Sequence, residues 1–181
     1  AVCGAFSSFI VYFANNKEGM QTIAYWMMGS LAGAQWGELA VIAPIIIASI
    51  FFFWTQSRVL NLMLLGDESA ITMGTDLHAY RQWYLLISSL IVGFAVYSAG
   101  MIGFVGLIVP HVIRMFTGPD HKRLLPVAAL VGAIFLVVAD GLCRVIIPHT
   151  ELPIGILISM IGAPSFIYLM IKKTYGFGGS D

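Results

Sequence analysis

Charged side chains are scarce in this chain. Asp, Glu, Lys and Arg make up 10% of its 181 residues, whereas hydrophobic residues make up 59%. A soluble domain carries roughly 25% charged residues, so this sequence lacks the means to build a water-facing surface and indicates a membrane protein. Nine basic and nine acidic side chains give a formal net charge of zero. Without clustered basic residues, the composition argues against nucleic acid as a partner.

Catalytic and metal-binding signatures are also missing. The sequence contains no nucleotide-binding glycine loop, no nucleophile–base arrangement and no paired-carboxylate site, so we expect a non-enzymatic chain whose energy source lies on another polypeptide. Cys3 and Cys143 both occur in apolar stretches and are interpreted as small buried side chains. The spacing of His111, Asp120 and His121 matches no compact metal-ligand pattern and favours an interfacial basic loop.

The beginning of the chain lacks the basic flank of a signal peptide. Residues 1–14 form an apolar run that starts at the first residue. We therefore expect residue 1 to lie within a transmembrane helix and upstream sequence to be missing.

Long apolar runs predict an all-α, polytopic helical bundle. About 20 residues are needed to cross the hydrocarbon core, and segments of that kind occupy 37–54, 124–143 and 152–171. The shorter segment 20–31 carries Tyr25 and Trp26, which suit an interfacial helix.

Residues 82–113 contain no Asp, Glu, Lys or Arg, and the number of crossings there decides the topology. One crossing would leave three basic residues inside and six outside, whereas an outward span near 82–99 with a short return near 104–116 leaves seven inside and two outside. The positive-inside rule favours two crossings. Because two full spans need about 40 residues, we predict a short or broken helix buried against other helices. The residues placed at this break are Gly100, Gly103, Gly106 and Pro110.

Broken helices near the membrane midplane often mark a transport pathway. The break therefore favours a transporter over a simple anchor.

Two polar features remain ambiguous from their spacing. In the segment 64–74, Asp67 or Ser69 could cap a short helix that Gly74 would end; this helix could dock a cytoplasmic partner, or the segment could be an ordinary solvated loop. Asp140 and Arg144 are four residues apart and can pair on one helix. A functional site and an arginine that reaches the outer headgroups are equal alternatives there.

Several motifs resemble the FecCD-type permeases of ABC importers for iron–siderophore chelates, haem and cobalamin. The sequence GMIGFVGLIVPHVIRMFTGPDHKRLLP, then ADGLCR, then ELPIGILISMIGAPSFIYLM carries the resemblance. YWMMGSLAGAQW and RVLNLMLLGDESAITMG resemble two upstream motifs, and YWMMG with its flanks is most similar to cobalamin permeases. The resemblance leaves the transported chelate open.

The resemblance implies that residues 1–181 are the C-terminal half of a ten-span transmembrane domain, from the end of span 5 to span 10. In such importers two permease copies, identical or related, assemble in the bacterial inner membrane with two ABC ATPase subunits and a periplasmic binding protein. ATP and Mg²⁺ bind to the ATPase subunits, so this chain itself is expected to bind no cofactor. Transport works by alternating access.

The resemblance also implies roles for individual residues. Coupling helices at about 58–78 would contact the ATPase through Leu65, Gly66, Asp67, Glu68, Ser69, Ala70 and Gly74. Arg144 matches a position that docks the binding protein, and Ser7, Ser8 and Tyr12 would line the translocation pathway. The alternative is an ion-coupled secondary transporter without an ATPase partner, for which Asp140 is the one serious acidic candidate within a span.

Overall fold

The computed structural model describes residues 6, 9, 10, 12, 13, 17–66, 70, 72–74, 77–146 and 152–175. Within this part of the chain there are seven helices and no strand, which confirms the predicted all-α fold. The helices are α1 (Lys17–Met28), α2 (Trp36–Thr55), α3 (Ser57–Leu64), α4 (Leu77–Ala99), α5 (Val105–Thr117), α6 (His121–Ile146) and α7 (Ile154–Tyr175).

Three of these helices are long and apolar enough to cross a bilayer. They are α2, α4 and α6, with 20, 23 and 26 residues. At most 11% of the most apolar stretch of each is buried inside the molecule, so their hydrophobic side chains face outward rather than into a protein core. A helix that is apolar all round and exposed belongs in lipid or against other spans. The protein is a multi-pass membrane protein.

A break separates α4 from α5. Helix α4 ends because Gly100 adopts φ +72°, in the left-handed region that glycine enters without a steric cost, while its N–H still donates to the Val96 carbonyl at 2.9 Å. Helix α5 restarts at Val105, directly after Phe104, whose φ is +63°. The non-helical stretch 100–104 therefore contains Gly100 and Gly103.

Gly106 and Pro110 lie inside α5 rather than in the break. Proline removes one backbone hydrogen bond, here to the carbonyl four residues earlier, and its ring crowds that turn. Helix α5 nevertheless continues through Pro110 to Thr117. The break therefore coincides with the positive φ angles of Gly100 and Phe104 and not with the proline.

Two buried clusters join α5, α6 and α7. Ala139 and Cys143 of α6 pack with Ile154 and Ile158 of α7, and both isoleucines are 1% exposed. Val109 and Ile113 of α5 pack with Leu124 of α6. The α5–α6 hairpin is thus the best-packed unit of the described chain, and Cys143 is a buried hydrophobic side chain as its sequence context predicts.

Candidate functional site

Helix α6 separates two polar regions that could carry function. Its first residue, His121, contacts α3, and Arg144 lies near its last turn. At 1.5 Å per residue, these two positions are roughly 35 Å apart. That distance exceeds the thickness of the hydrocarbon core, so the two regions occupy opposite membrane surfaces.

The region at the start of α6 is centred on Asn61 of α3. Its amide nitrogen donates to Asp120 Oδ1 at 2.8 Å, and its amide oxygen accepts from the His121 backbone N–H at 2.9 Å. The same oxygen lies 2.7 Å from His121 Nδ1. An amide oxygen can only accept, so the His121 ring carries its proton on Nδ1. One side chain of α3 thus binds both residues that begin α6.

Asp120 is also the N-cap of α6. Its carboxylate accepts the Lys122 N–H at 3.0 Å, and its carbonyl accepts the Leu124 N–H at 2.9 Å. The hydrogen bond from Asn61, reinforced by the one from Lys122, lowers the pKa of the Asp120 carboxyl below its ordinary value. Because this pKa is lowered, the stabilisation from these contacts is fully present at pH values above the ordinary aspartate pKa. It is lost as the pH falls through the lower pKa of the folded state.

The junction between α2 and α3 is held by two further hydrogen bonds and one ring contact. Gln56 separates the helices, and its side-chain oxygen accepts the Tyr84 hydroxyl of α4 at 3.1 Å. Trp54 donates its indole N–H to the Lys122 carbonyl of α6 at 3.0 Å. Tyr84 also packs edge-on against Phe53, with ring centroids 5.5 Å apart. These contacts set the direction in which α3 leaves α2.

The predicted ATPase-coupling residues follow α3. Leu65 is the exposed residue that ends this helix, and Gly66 has φ +89°. Ala70 is fully buried and its N–H donates to the Gly66 carbonyl at 3.3 Å, while Gly74 has φ +76°. Asp67, Glu68 and Ser69 lie outside the described residues. The structure therefore places a glycine turn at each end of the segment.

An open groove lies beside this segment, between α3 and the α5–α6 connection. Its volume is about 480 Å³. The lining residues are Arg58, Asn61, Leu62, Leu64, Leu65, Pro119 and Asp120.

At the opposite end of α6, Arg144 pairs with Asp140. The Arg144 Nε donates to Asp140 Oδ2 at 2.8 Å, and the arginine side chain is 53% exposed. The pairing predicted from their spacing of four residues is present. The half-exposed guanidinium is thus held at the end of α6 by Asp140.

Close backbone contacts surround the break, and sequence reasoning did not find them. The Ser30 N–H donates to the Ala99 carbonyl at 2.9 Å. A Cβ at Gly100 would lie 2.2 Å from the Trp26 oxygen, and a Cβ at Gly155 would lie 2.0 Å from the Met28 oxygen. The end of α1, the break and the start of α7 therefore meet backbone to backbone. Gly29 and Gly155 carry no local signal of this role, because it depends on a helix distant in sequence.

The predicted pathway residues are only partly placed. Tyr12 is exposed at 75%, whereas Ser7 and Ser8 lie outside the described residues.

A separate groove of about 770 Å³ lies between α2 and α4 and is lined by apolar side chains together with Glu38 and Ser89. No group of three His, Cys, Asp or Glu side chains able to hold a metal ion occurs in the part of the chain that the structure describes.

Comparison with known proteins identifies a family and several relatives that this chain resembles along nearly its whole length. The model of the FecCD transport family matches residues 1–172. The chain is 40% identical over 173 residues to the hemin transport system permease protein HmuU of Yersinia pestis, covering 96% of this chain and 52% of that protein. It is 41% identical over 167 residues to the cobalamin import system permease protein BtuC of Halobacterium salinarum, covering 92% and 44%.

A solved structure shares the fold. It is described as an inward-facing conformation of a metal-chelate type ABC transporter, and it matches with a TM-score of 0.87 and 34% sequence identity. The match covers 93% of this chain and 55% of the other. The chain thus spans about half the length of the relatives and the structure that it matches.

Proposed function

Because the chain belongs to the FecCD transport family, we propose that it is the C-terminal half of the permease of an ATP-driven, binding-protein-dependent importer of metal chelates. The observation that carries this proposal is the TM-score of 0.87 at 34% identity to a metal-chelate type ABC transporter. The chain would supply the end of span 5 to span 10 of a ten-span domain. Haem and cobalamin are the candidate substrates that the relatives' names supply, and an iron–siderophore chelate is a third candidate because the matched structure is a metal-chelate type transporter.

The proposed assembly contains two permease copies, two ABC ATPase subunits that bind ATP and Mg²⁺, and a periplasmic binding protein, all at the bacterial inner membrane. The two polar regions at the ends of α6, roughly 35 Å apart, would provide one contact surface on each side of the membrane. The region around α3 and the segment 65–74 would meet the ATPase, and exposed Arg144 would meet the binding protein. In alternating access, closure of the ATPase dimer shifts the segment 65–74 and so switches the pathway between its two openings.

Charge reversal in the coupling segment tests its role. In the full-length permease, Glu68→Lys should reduce uptake at least fivefold while ATP hydrolysis continues, because a like charge would face the surface that binds the native carboxylate. Glu18→Lys, at the start of α1 on the opposite surface, is the matched control. Unchanged uptake by Glu68→Lys at normal expression would remove Glu68 from the interface.

A purification from native membranes tests the proposal as a whole. The tagged full-length permease should bring down an ABC ATPase and a binding protein, identified by mass spectrometry. An absorbance band of a corrinoid, a haem or a ferric chelate in the co-purified material would identify the substrate. High recovery without an ATPase, together with uptake that follows a proton gradient rather than ATP, would instead establish the ion-coupled transporter.

A further inference from the structure

Among the residues that the structure describes, helix α3 has one main packing partner besides the helix that precedes it. Its principal contacts outside α2 are with α6, and Ser57 is its buried residue. An eight-residue helix has little stability of its own in water. The position of α3 therefore depends on the few tertiary contacts that hold it.

Asn61 supplies the polar part of those contacts. It joins α3 to the Asp120 carboxylate, the His121 backbone and the His121 ring through three contacts of 2.7–2.9 Å. One of these has an ionised acceptor, and such hydrogen bonds are roughly twice as strong as neutral ones. The three contacts also fix the orientation of the Asn61 amide, because its NH₂ group must face Asp120 and its oxygen must face His121.

The contacts reach the point where α5 turns into α6. Asp120 and His121 follow Gly118 after the single residue Pro119, and Gly118, whose φ is +79°, ends α5. The two helices then pack along Val109, Ile113 and Leu124. A displacement of α3 would therefore act on the connection of a well-packed hairpin. At the other end of that hairpin, α5 begins directly after the break at 100–104, and α6 contributes Cys143 to a buried cluster.

We propose that Asn61 is a positioning residue that transmits movement of the coupling segment to the α5–α6 hairpin through its contacts with Asp120 and His121. This inference rests on the proposed function, since it assigns a mechanical link within the same importer. The link is specific to hydrogen-bond polarity: the donor of residue 61 faces Asp120 and its acceptor faces His121.

A polarity swap tests the link in the full-length importer, reconstituted with its ATPase and binding protein in proteoliposomes. Haemin, cyanocobalamin and a ferric siderophore are the probes, and the measured quantity is the number of probe molecules delivered per ATP hydrolysed. This ratio does not depend on how much permease is inserted. Asn61→Asp removes the donor and sets two carboxylates against each other, so we expect the ratio to fall roughly tenfold, within the usual range of coupling between sites. Adding Asp120→Asn restores a donor and an acceptor between these positions, and the ratio should recover to at least half of the wild-type value.

Gln82→Ala is the matched control, because its amide contacts His78 within the same helix, 3.1 Å away, near the same membrane surface. It should leave the ratio unchanged. A ratio for Asn61→Asp within twofold of wild type, or a double variant no better than Asn61→Asp, would overturn the inference alone. Wild-type proteoliposomes that deliver none of the three probes in an ATP-dependent manner would overturn the proposed function, and the inference with it.

Discussion

Gly100 has the most restrictive surroundings of the residues in the break. Its φ of +72° would cost an L-residue roughly 1–2 kcal/mol, and its Cβ would lie 2.2 Å from a carbonyl oxygen of α1. Backbone cannot move aside as a side chain can, so overpacking adds about 1–3 kcal/mol. We expect Gly100→Ala to destabilise the protein by about 3 kcal/mol in total. The thermal unfolding midpoint of the detergent-solubilised protein would report this loss.

Gly103 provides the control within the same break. An added Cβ there would meet no atom of the described residues within 4 Å, so Gly103→Ala should unfold close to the wild-type temperature. Equal destabilisation by both variants would show that chain flexibility, rather than the contact with α1, is what the break requires.

Arg144 allows a test of docking at the outer surface. Arg144→Glu places a like charge beside Asp140, 2.8 Å from the present Nε, and removes the cation offered to the binding protein. Exposed ion pairs contribute little individually, so we expect binding-protein affinity to fall roughly threefold to tenfold at low salt. The difference should shrink at high ionic strength because of screening.

The measurement is the affinity of the binding protein for the permease in nanodiscs across a salt series. Arg144→Lys, which keeps the charge, should retain most of the affinity. Indifference of the affinity to Arg144→Glu at every salt concentration would exclude Arg144 from the docking surface.

At the scale of elements, the start of α7 is positioned by a glycine. A Cβ added at Gly155 would lie 2.0 Å from the Met28 carbonyl oxygen. Glycine therefore allows the start of α7 to approach the end of α1 this closely. We expect Gly155→Ala to separate α7 from α1 and to lower stability by about 1–3 kcal/mol. Gly141→Ala in α6, where a Cβ would meet none of the described atoms within 4 Å, should be neutral or slightly stabilising. Thermal melts of the two variants provide the comparison, and a neutral Gly155→Ala would contradict the proposed close contact.

Phe104 illustrates strain that packing maintains. Its φ of +63° is unfavourable for an aromatic residue, yet its side chain packs against the cluster of Cys143 and Ile158. A Cβ added at Gly162 would lie 2.7 Å from the Phe104 Cβ, so α7 accommodates this side chain only through a glycine. The strained residue is held in place by the helix that covers it.

At the scale of the whole molecule, the topology can be tested by labelling. The prediction of seven basic residues inside and two outside places the α5–α6 connection inside and the α1–α2 connection outside. In a background with Cys3→Ser and Cys143→Ala, a membrane-impermeant maleimide added to intact cells should label Gly33→Cys and not Pro119→Cys. Labelling of both should occur after permeabilisation. The reverse pattern in intact cells would invert the assignment of both contact surfaces.

Much of the architecture follows from the sequence. The apolar runs predicted helices at 37–54, 124–143 and 152–171, and the corresponding helices are Trp36–Thr55, His121–Ile146 and Ile154–Tyr175. The charge-free stretch 82–113 predicted two helices joined by an irregular segment, and the structure has α4 and α5 there. The interfacial helix predicted at 20–31 lies at Lys17–Met28, because Gly29 at φ +74° ends it earlier than hydrophobicity indicated.

Hydrophobicity, charge and motif are sufficient to predict that this chain is helical, that it crosses a membrane several times and that it belongs with the FecCD permeases. Hydrocarbon leaves backbone groups no partner outside the segment itself, so a long apolar run has few structures to adopt. The packing of the helices, in contrast, was needed to show that the break lies at Gly100 and not at Pro110, that Gly155 meets Met28, and that Asn61 binds Asp120 from 59 residues away. Such contacts depend on how helices distant in sequence pack, and no local pattern specifies the partner.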